Sequence, residues 1–321
     1  PDASLKALIE CAFSGSKKVS SVLSFKDTGV SRYAEYEKLR ESAGYLGLET
    51  PWKSLNKAIQ GWVNESLHVI AGLSNVGKSW LLLVCSEMCL SLGKKVLFVT
   101  LEMSSQRMFR RLDAIRHKLP FGDFRDAELD VFTKEGWKEG LAEDAGMLGD
   151  VWMADKQLVR TVSDVMSLVY KYQPDIVFID GGYRFQTKDK FKGNWENGVA
   201  IINDLQIFSE ASGIPWVVST QLGDSSESGK VGDKKHKKTS MRGWNVRYNK
   251  EWLINPDVVL GIYQDTDMRL LREMEVHLLK MRDASGEGSN NMFTINWNFT
   301  KMDFTEIVPE EFTPTTEAIG Y

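Results

Sequence analysis

The sequence has little of what marks several functional classes. It has three cysteines, Cys11, Cys85 and Cys89, too few and too unevenly spaced for a disulfide framework, which favours a reducing cytosol. Cys85 and Cys89 lie four apart on a predicted helix, and core packing accounts for the pair better than a metal half-site does. No apolar run approaches the ~20 residues of a membrane span. The opening Pro-Asp-Ala-Ser has no basic stretch leading into an apolar one, which argues against a secretory leader. Positive charge is not in excess either: 40 Lys and Arg stand against 44 Asp and Glu, a net −4. Any contact with nucleic acid must therefore come from local clusters. Internal repeats and long low-complexity segments are missing as well.

What is present is the composition of a packed soluble domain: 321 residues, 42% hydrophobic and 26% charged. Residues 1–50 read as a helical and linker segment. Leu5, Leu8, Ile9, Ala12 and Phe13 make a short apolar stripe that can dock on the chain's own core or on a neighbouring subunit. From residue 51 onward, apolar and β-branched runs (Leu67–Ala71, Val96–Leu101, Ile176–Asp180, Trp216–Thr220, Val258–Tyr263, Val276–Met281, Met292–Phe299) appear. The earlier runs alternate with helical patterns near 79–92, 104–118, 161–172 and 195–213. That alternation predicts an α/β domain over 51–305, with a mostly parallel twisted sheet and helices on both faces. The last runs follow one another closely and predict antiparallel strands at one edge. Asp303, Glu306, Glu310, Glu311 and Glu317, with no base among them, predict an acidic tail over 306–321.

Gly72-Leu73-Ser74-Asn75-Val76-Gly77-Lys78-Ser79 satisfies G-x-x-x-x-G-K-[ST], after a predicted strand and before the helix that opens at Trp80. The glycines let backbone N–H groups turn toward phosphate oxygens, and the helix N-terminus adds partial positive charge. Lys78 can reach the β- and γ-phosphates of ATP, and the Ser79 hydroxyl can ligate Mg²⁺. Three more strands end in polar residues at the edge where a parallel sheet binds ligands. Asp180 can hold the Mg²⁺ shell. Glu102 can polarise a water or cap the helix after it, for which Ser104 and Ser105 are suitable. Gln221 can sense the γ-phosphate or simply face solvent.

These segments, in this order, resemble the DnaB-type replicative helicases within the RecA-like hexameric ATPases, over roughly residues 50–305. Leu101-Glu102-Met103 is similar to that family's Leu-Glu-Met, and the resemblance implies that Glu102 is the catalytic base. Asp180 falls in the place of its Mg²⁺-associated Asp, and Gln221 in Ser219-Thr220-Gln221-Leu222 in the place of its sensor. Lys280-Met281-Arg282 looks like the segment whose Lys and Arg reach the neighbouring subunit's γ-phosphate. Gly181-Gly182-Tyr183 and Met241-Arg242-Gly243-Trp244 depart from the family pattern, and the family's N-terminal helical domain has no counterpart among residues 1–50. The expectation is a divergent, phage-type relative. It would be a cytosolic ring, hexameric by resemblance, that moves 5′ to 3′ on single-stranded DNA and meets a primase, a loader or a polymerase.

Two loops suit DNA. One follows Asp180 and carries Tyr183, Arg184, Lys188, Lys190 and Lys192. The other carries Lys230, Lys234, Lys235, Lys237, Lys238 and Arg242, with Asp233 the only acid between Lys230 and Arg242. Such loops would grip a backbone in a salt-dependent, weakly sequence-specific way. Arg242 and Gly243 are the positions that the resemblance assigns to strand contact. Two other readings stay open at this stage: a RecA-like recombinase or other DNA-stimulated ATPase that does not unwind, and a nucleotide kinase.

Overall fold

The structure is a computed structural model that describes residues 24–41, 45–187, 194–222, 251–282 and 292–308. The stripe Leu5–Phe13, the basic positions Lys188, Lys190, Lys192, Lys230, Lys234, Lys235, Lys237, Lys238, Arg242 and Gly243, and the tail acids from Glu310 onward lie outside the described residues.

The apolar, β-branched runs are extended, and they pair into one nine-stranded sheet of order β3-β2-β4-β5-β1-β6-β7-β8-β9. β1 (Leu67–Gly72), β2 (Lys95–Thr100), β3 (Asp150–Asp155), β4 (Ile176–Asp180), β5 (Trp216–Gln221) and β6 (Val258–Tyr263) are parallel. β7 (Glu273–Met281), β8 (Met292–Asn296) and β9 (Glu306–Ile307) continue the sheet antiparallel. The helices are α1 (Gly29–Glu41), α2 (Lys53–Ile59), α3 (Lys78–Ser91), α4 (Ser105–Arg116), α5 (Phe121–Asp126), α6 (Val131–Asp144), α7 (Val162–Tyr172), α8 (Asn194–Ser212), α9 (Glu251–Ile254) and α10 (Thr266–Leu271).

The central strands are buried on both faces because side chains alternate. Ile70, Phe98, Phe178 and Val217 point into one core with α3 and α4. Val69, Val99, Ile179 and Val218 point into the other with α7 and α8. Cys85 and Cys89 are fully buried on α3, and burial pushes both thiols up, Cys89 to about 12. They are core residues. Among the described residues, no helix is long and apolar enough to cross a membrane.

Three elements between residues 119 and 160 have no counterpart in the sequence pattern. No α6 residue is buried, and α6 contains Gly136 and Gly140, so it has no apolar stripe to read. α5 is a six-residue helix with nothing buried. β3 is the sheet's half-covered edge, where burial alternates too weakly to stand out. At the other edge β9 lies beyond residue 305, where the pattern begins the acidic tail. Ile307 pairs with Thr294, and the Glu306 carboxylate accepts from the Ser54 backbone at 3.0 Å and from the Ser54 hydroxyl.

His68, on β1, is completely enclosed, with Trp62 edge-on at 5.0 Å. Burial lowers its pKa from 6.5 to about 4, with Asp257 opposing. The unfolded chain therefore binds the proton first. Stability is complete above pH 6.5 and falls as the pH drops toward 4, by about 3 kcal/mol in all. Chemical denaturation of wild type and of His68→Phe at pH 7 and pH 4.5 checks this: between the two pH values wild type should lose more stability than His68→Phe does.

Candidate active site

Register sets which strand ends meet. Gly72 pairs with Gln221 across β1 and β5, and Thr100 pairs with Asp180 across β2 and β4. The phosphate loop, Glu102, Asp180 and Gln221 thus share the carboxyl end of the sheet, where parallel sheets bind ligands.

The loop turns through two left-handed residues, Asn75 at φ 60° and Gly77 at φ 108°. Gly77 caps α3, and a Cβ there would come within 2.5 Å of the Trp297 ring. Gly77→Ala therefore adds backbone strain of about 1–3 kcal/mol to a clash. Loss of nucleotide binding and a lower melting temperature are the expected results, read by fluorescent-nucleotide titration and thermal melting. The Lys78 ammonium donates to the carbonyls of Gly72 (2.9 Å) and Leu73 (2.6 Å). Burial lowers its pKa, while Glu102 and Asp180 raise it.

Asp180 is buried at the end of β4. Its Oδ1 accepts from the Ser219 hydroxyl at 3.0 Å, and that hydroxyl in turn accepts from Gly181 N at 2.8 Å. Burial raises the Asp180 pKa and Glu102 adds to the rise, whereas the hydroxyls of Ser79 and Ser219 and the Lys78 ammonium draw it down. Ser79 is near enough to interact, yet Oδ2 completes no hydrogen bond. A buried carboxylate oxygen left over beside a hydroxyl fits a hard, oxygen-seeking cation such as Mg²⁺. Among the described residues no cluster of three or more His, Cys, Asp or Glu could hold a metal.

Glu102 does not cap the next helix. α4 begins at Ser105 after Ser104, which makes no side-chain cap bond, and Ser105 bonds Asp155 instead. The Glu102 carboxylate accepts from the Tyr183 hydroxyl and, at 3.4 Å, from Arg184 Nε. Burial and that bond push Tyr183 up to about 12, so it remains a donor. Gly181, at φ 83°, makes the approach possible, because a Cβ there would sit 2.8 Å from Glu102 Cγ.

A cavity of about 390 Å³ opens against the loop, lined by Asn75, Val76, Gly77 and Trp80 on one side and by Arg269, Arg272 and Trp297 on the other. The Trp80 ring itself is held by Phe121 and Phe299, with Arg111 at 5.0 Å over its face. Arg111, Arg269 and Arg272 had no role in the sequence reading, and Ser219 entered it only within the Ser219–Leu222 segment. Alternation did carry one signal, since Ser219 lies two residues before Gln221 and so shares its face. Arg111 is one of several arginines on α4, and nothing in the sequence singles it out.

Lys280 and Arg282 lie elsewhere. Val258 pairs with Met281, so the end of β7 meets the start of β6. There Lys280 Nζ bonds the carbonyls of Ile254 and Pro256. Arg282 Nη1 pairs with Asp257 Oδ1 at 2.7 Å and Nη2 donates to Asn255 O at 3.2 Å. Asp257 Oδ2 accepts from Leu67 N at 2.9 Å, at the entry of β1. From Leu67 to Gly72 the strand spans about 17 Å at ~3.3 Å per residue, so Arg282 is at the opposite end of the sheet from its own phosphate loop.

Residues 47–304 match the family model described as DnaB-like helicase C terminal domain. No match was found among curated proteins. Among solved structures, an ATPase domain is similar at a TM-score of 0.72 and 16% identity, over 88% of this chain and 99% of that one. A DnaB-like replicative helicase, solved to show its interactions with primase, gives 0.71 at 17% identity, over 86% of this chain and 67% of its own. These likenesses carry the fold, a RecA-like mostly parallel sheet with an antiparallel edge. The family match spans most of the chain, and on it the protein belongs to the DnaB-like helicases, as their ATP-hydrolysing C-terminal motor domain.

Proposed function

We propose that the chain carries one half of an ATP site shared between subunits, and that hydrolysis there drives movement along single-stranded DNA. The carrying observation is the separation just described. Lys78, Glu102 and Asp180 converge, while Arg282 is held at the other end of the sheet by Asp257. Gly72, Leu73, Ser74, Asn75, Val76, Gly77 and Ser79, with the backbone of Trp80, cradle the phosphates, and Lys78 bridges the β and γ groups. Ser79 and Asp180 would hold Mg²⁺, which when bound would neutralise charge on the β- and γ-oxygens. Glu102 orients and deprotonates the attacking water, and the Tyr183 hydroxyl positions Glu102. Gln221, in register with Gly72, relays loss of the γ-phosphate to the loop after β5. Arg282 and Lys280 complete the site of the next subunit in a hexameric ring, as an arginine finger does.

DNA is held by Lys192, Lys234, Lys235, Arg242 and Gly243, in the segments that follow Asp180 and Gln221 in the chain. A primase, loader or polymerase is the expected company of such a motor, working in the cytosol. The chain then divides into a segment 1–50, a motor from 51 through Ile307 and an acidic tail. Phosphate release with and without oligo-dT, and strand displacement on a forked duplex, test the whole reading. Stimulation by DNA with displacement is expected. Ring formation and hydrolysis without displacement on either fork polarity would sink it.

A further inference from the structure

A second cavity, of about 340 Å³, opens between the loop after β3 and the turn after β4, lined by Leu101, Lys156, Val159, Arg160, Arg184 and Gln186. Leu101 and Val159 are buried and give it an apolar base, while the cations and Gln186 are exposed. The two loops are fastened together by Gln186 N donating to Arg160 O at 2.8 Å. None of the lining residues belongs to the phosphate loop or to the cavity beside it.

Charge in this cavity is one-sided. No acid among the described residues lines it. Glu102, next to Leu101, pairs with Arg184, and Asp155, next to Lys156, feels its charge, but Asp155 and Asp164 spend their oxygens on amides and a hydroxyl. Asp155 accepts from Gln157 N, Ser105 N and Ser105 Oγ, and Asp164 Oδ2 accepts from Arg160 N and Thr161 N. Among the described residues the side chains of Lys156 and Arg160 make no hydrogen bond or ion pair, and Arg184 Nε is shared between Glu102 Oε1 and the Tyr183 hydroxyl, each at 3.4 Å. An anion that entered the cavity would meet two cations without a hydrogen bond or ion pair and a third that is half engaged. The planar forks of two arginines suit a phosphate group.

We propose that this cavity binds a phosphodiester of the single-stranded DNA track, and that Arg184 passes from Glu102 to that phosphate when it binds. The proposal rests on the reading of Glu102 as the residue that activates water. With Arg184 withdrawn, Glu102 Oε1 keeps the Tyr183 hydroxyl alone. DNA occupancy then reaches the reacting water through one guanidinium, without passage through the nucleotide. Leu101, beside Glu102 in the chain, lines the same cavity, and its N–H donates to the Asp180 carbonyl at 2.9 Å.

The test compares wild type with Lys156→Gln/Arg160→Gln in a labelled oligo-dT titration, with a non-hydrolysable ATP analogue present and salt varied. Two lost phosphate contacts lower the slope of log K against log salt by about 1.4, which makes binding roughly 25-fold weaker at 0.1 M salt if the proteins agree at 1 M. An unchanged slope with an unchanged melting curve would overturn the site. So would a loss of nucleotide affinity in the absence of DNA, which would assign the cations to ATP. A change in sedimentation with no change in slope would assign them to an acid of a second copy, with the same consequence. For the hand-over, Arg184→Gln should raise DNA-free phosphate release and lower the ratio by which DNA stimulates it; values equal to wild type would refute it. Binding slopes need no turnover, so their outcome is separate from the role of Glu102, which Glu102→Gln turnover reads alone.

Discussion

Lys78→Ala is expected to abolish ATP turnover, with a loss of at least ~10²–10³-fold, the scale for removing one preorganised donor from a transition-state charge. The structure argues for a value at the upper end or beyond it. The ammonium is largely enclosed, held by the carbonyls of Gly72 and Leu73. Its charge is maintained against burial by Glu102 and Asp180. It is thus the cation against which both site carboxylates are set. Without it, burial and Glu102 push Asp180 further toward its protonated form, and the attraction for a divalent ion weakens with the charge. Lys78→Arg should not rescue, because a planar fork does not fit a cradle shaped for a point charge. Phosphate release with saturating oligo-dT measures the effect, and circular dichroism confirms that the sheet survives. Wild-type turnover in Lys78→Ala would remove the phosphate loop from the chemistry.

How much of this was legible beforehand follows from what each element depends on. The phosphate loop is local: eight consecutive residues, a strand before them and a helix after them, so the sequence contains the whole device. β4 and β6 are apolar runs rich in β-branched residues, and the pattern bounds them as the structure does, at Ile176–Asp180 and Val258–Tyr263. Edge strand β3 and helix α6 owe their existence to neighbours more than to their own patterns, and neither stood out. The site divides in the same way. Strand-end residues Asp180 and Gln221 were visible because parallel topology sends strand ends to the ligand. The pairing of Glu102 with Tyr183 and Arg184 was not, since it spans residues 81 and 82 positions apart and exists only once β2 lies beside β4. In the sequence, Tyr183 and Arg184 belonged to a DNA loop; the fold turns both toward Glu102. The unusual Gly181 has its reason there too, because the close approach of Glu102 requires a residue without a Cβ.

Arg282→Ala should lower turnover by ~10³–10⁵-fold, the range for arginine fingers, while nucleotide affinity stays near wild type. Distance makes the case. With about 17 Å of β1 between Leu67 and Gly72, and with its fork engaged by Asp257 and Asn255, Arg282 cannot serve the phosphate loop of its own chain. It is half exposed, at 54%, and so available to another chain once its pair with Asp257 opens; Asp257 keeps the Leu67 amide and the Gln206 side chain as partners when it does. The trans role makes a demand that no cis role makes. Lys78→Ala lacks a working phosphate loop but keeps its arginine, and Arg282→Ala has the reverse. Each should be inactive alone. Mixed before assembly, they form some interfaces in which the Arg282→Ala subunit supplies the loop and the Lys78→Ala subunit supplies the arginine. Those interfaces are complete, so turnover should return to a fraction of wild type that peaks near equal mixing. Mixed rings that form, as seen by differential labelling, and remain inactive would refute the shared site. Full activity of Arg282→Ala by itself would refute it more directly, and would return the search for the γ-phosphate cation to Arg269 and Arg272, which already line the cavity beside Gly77.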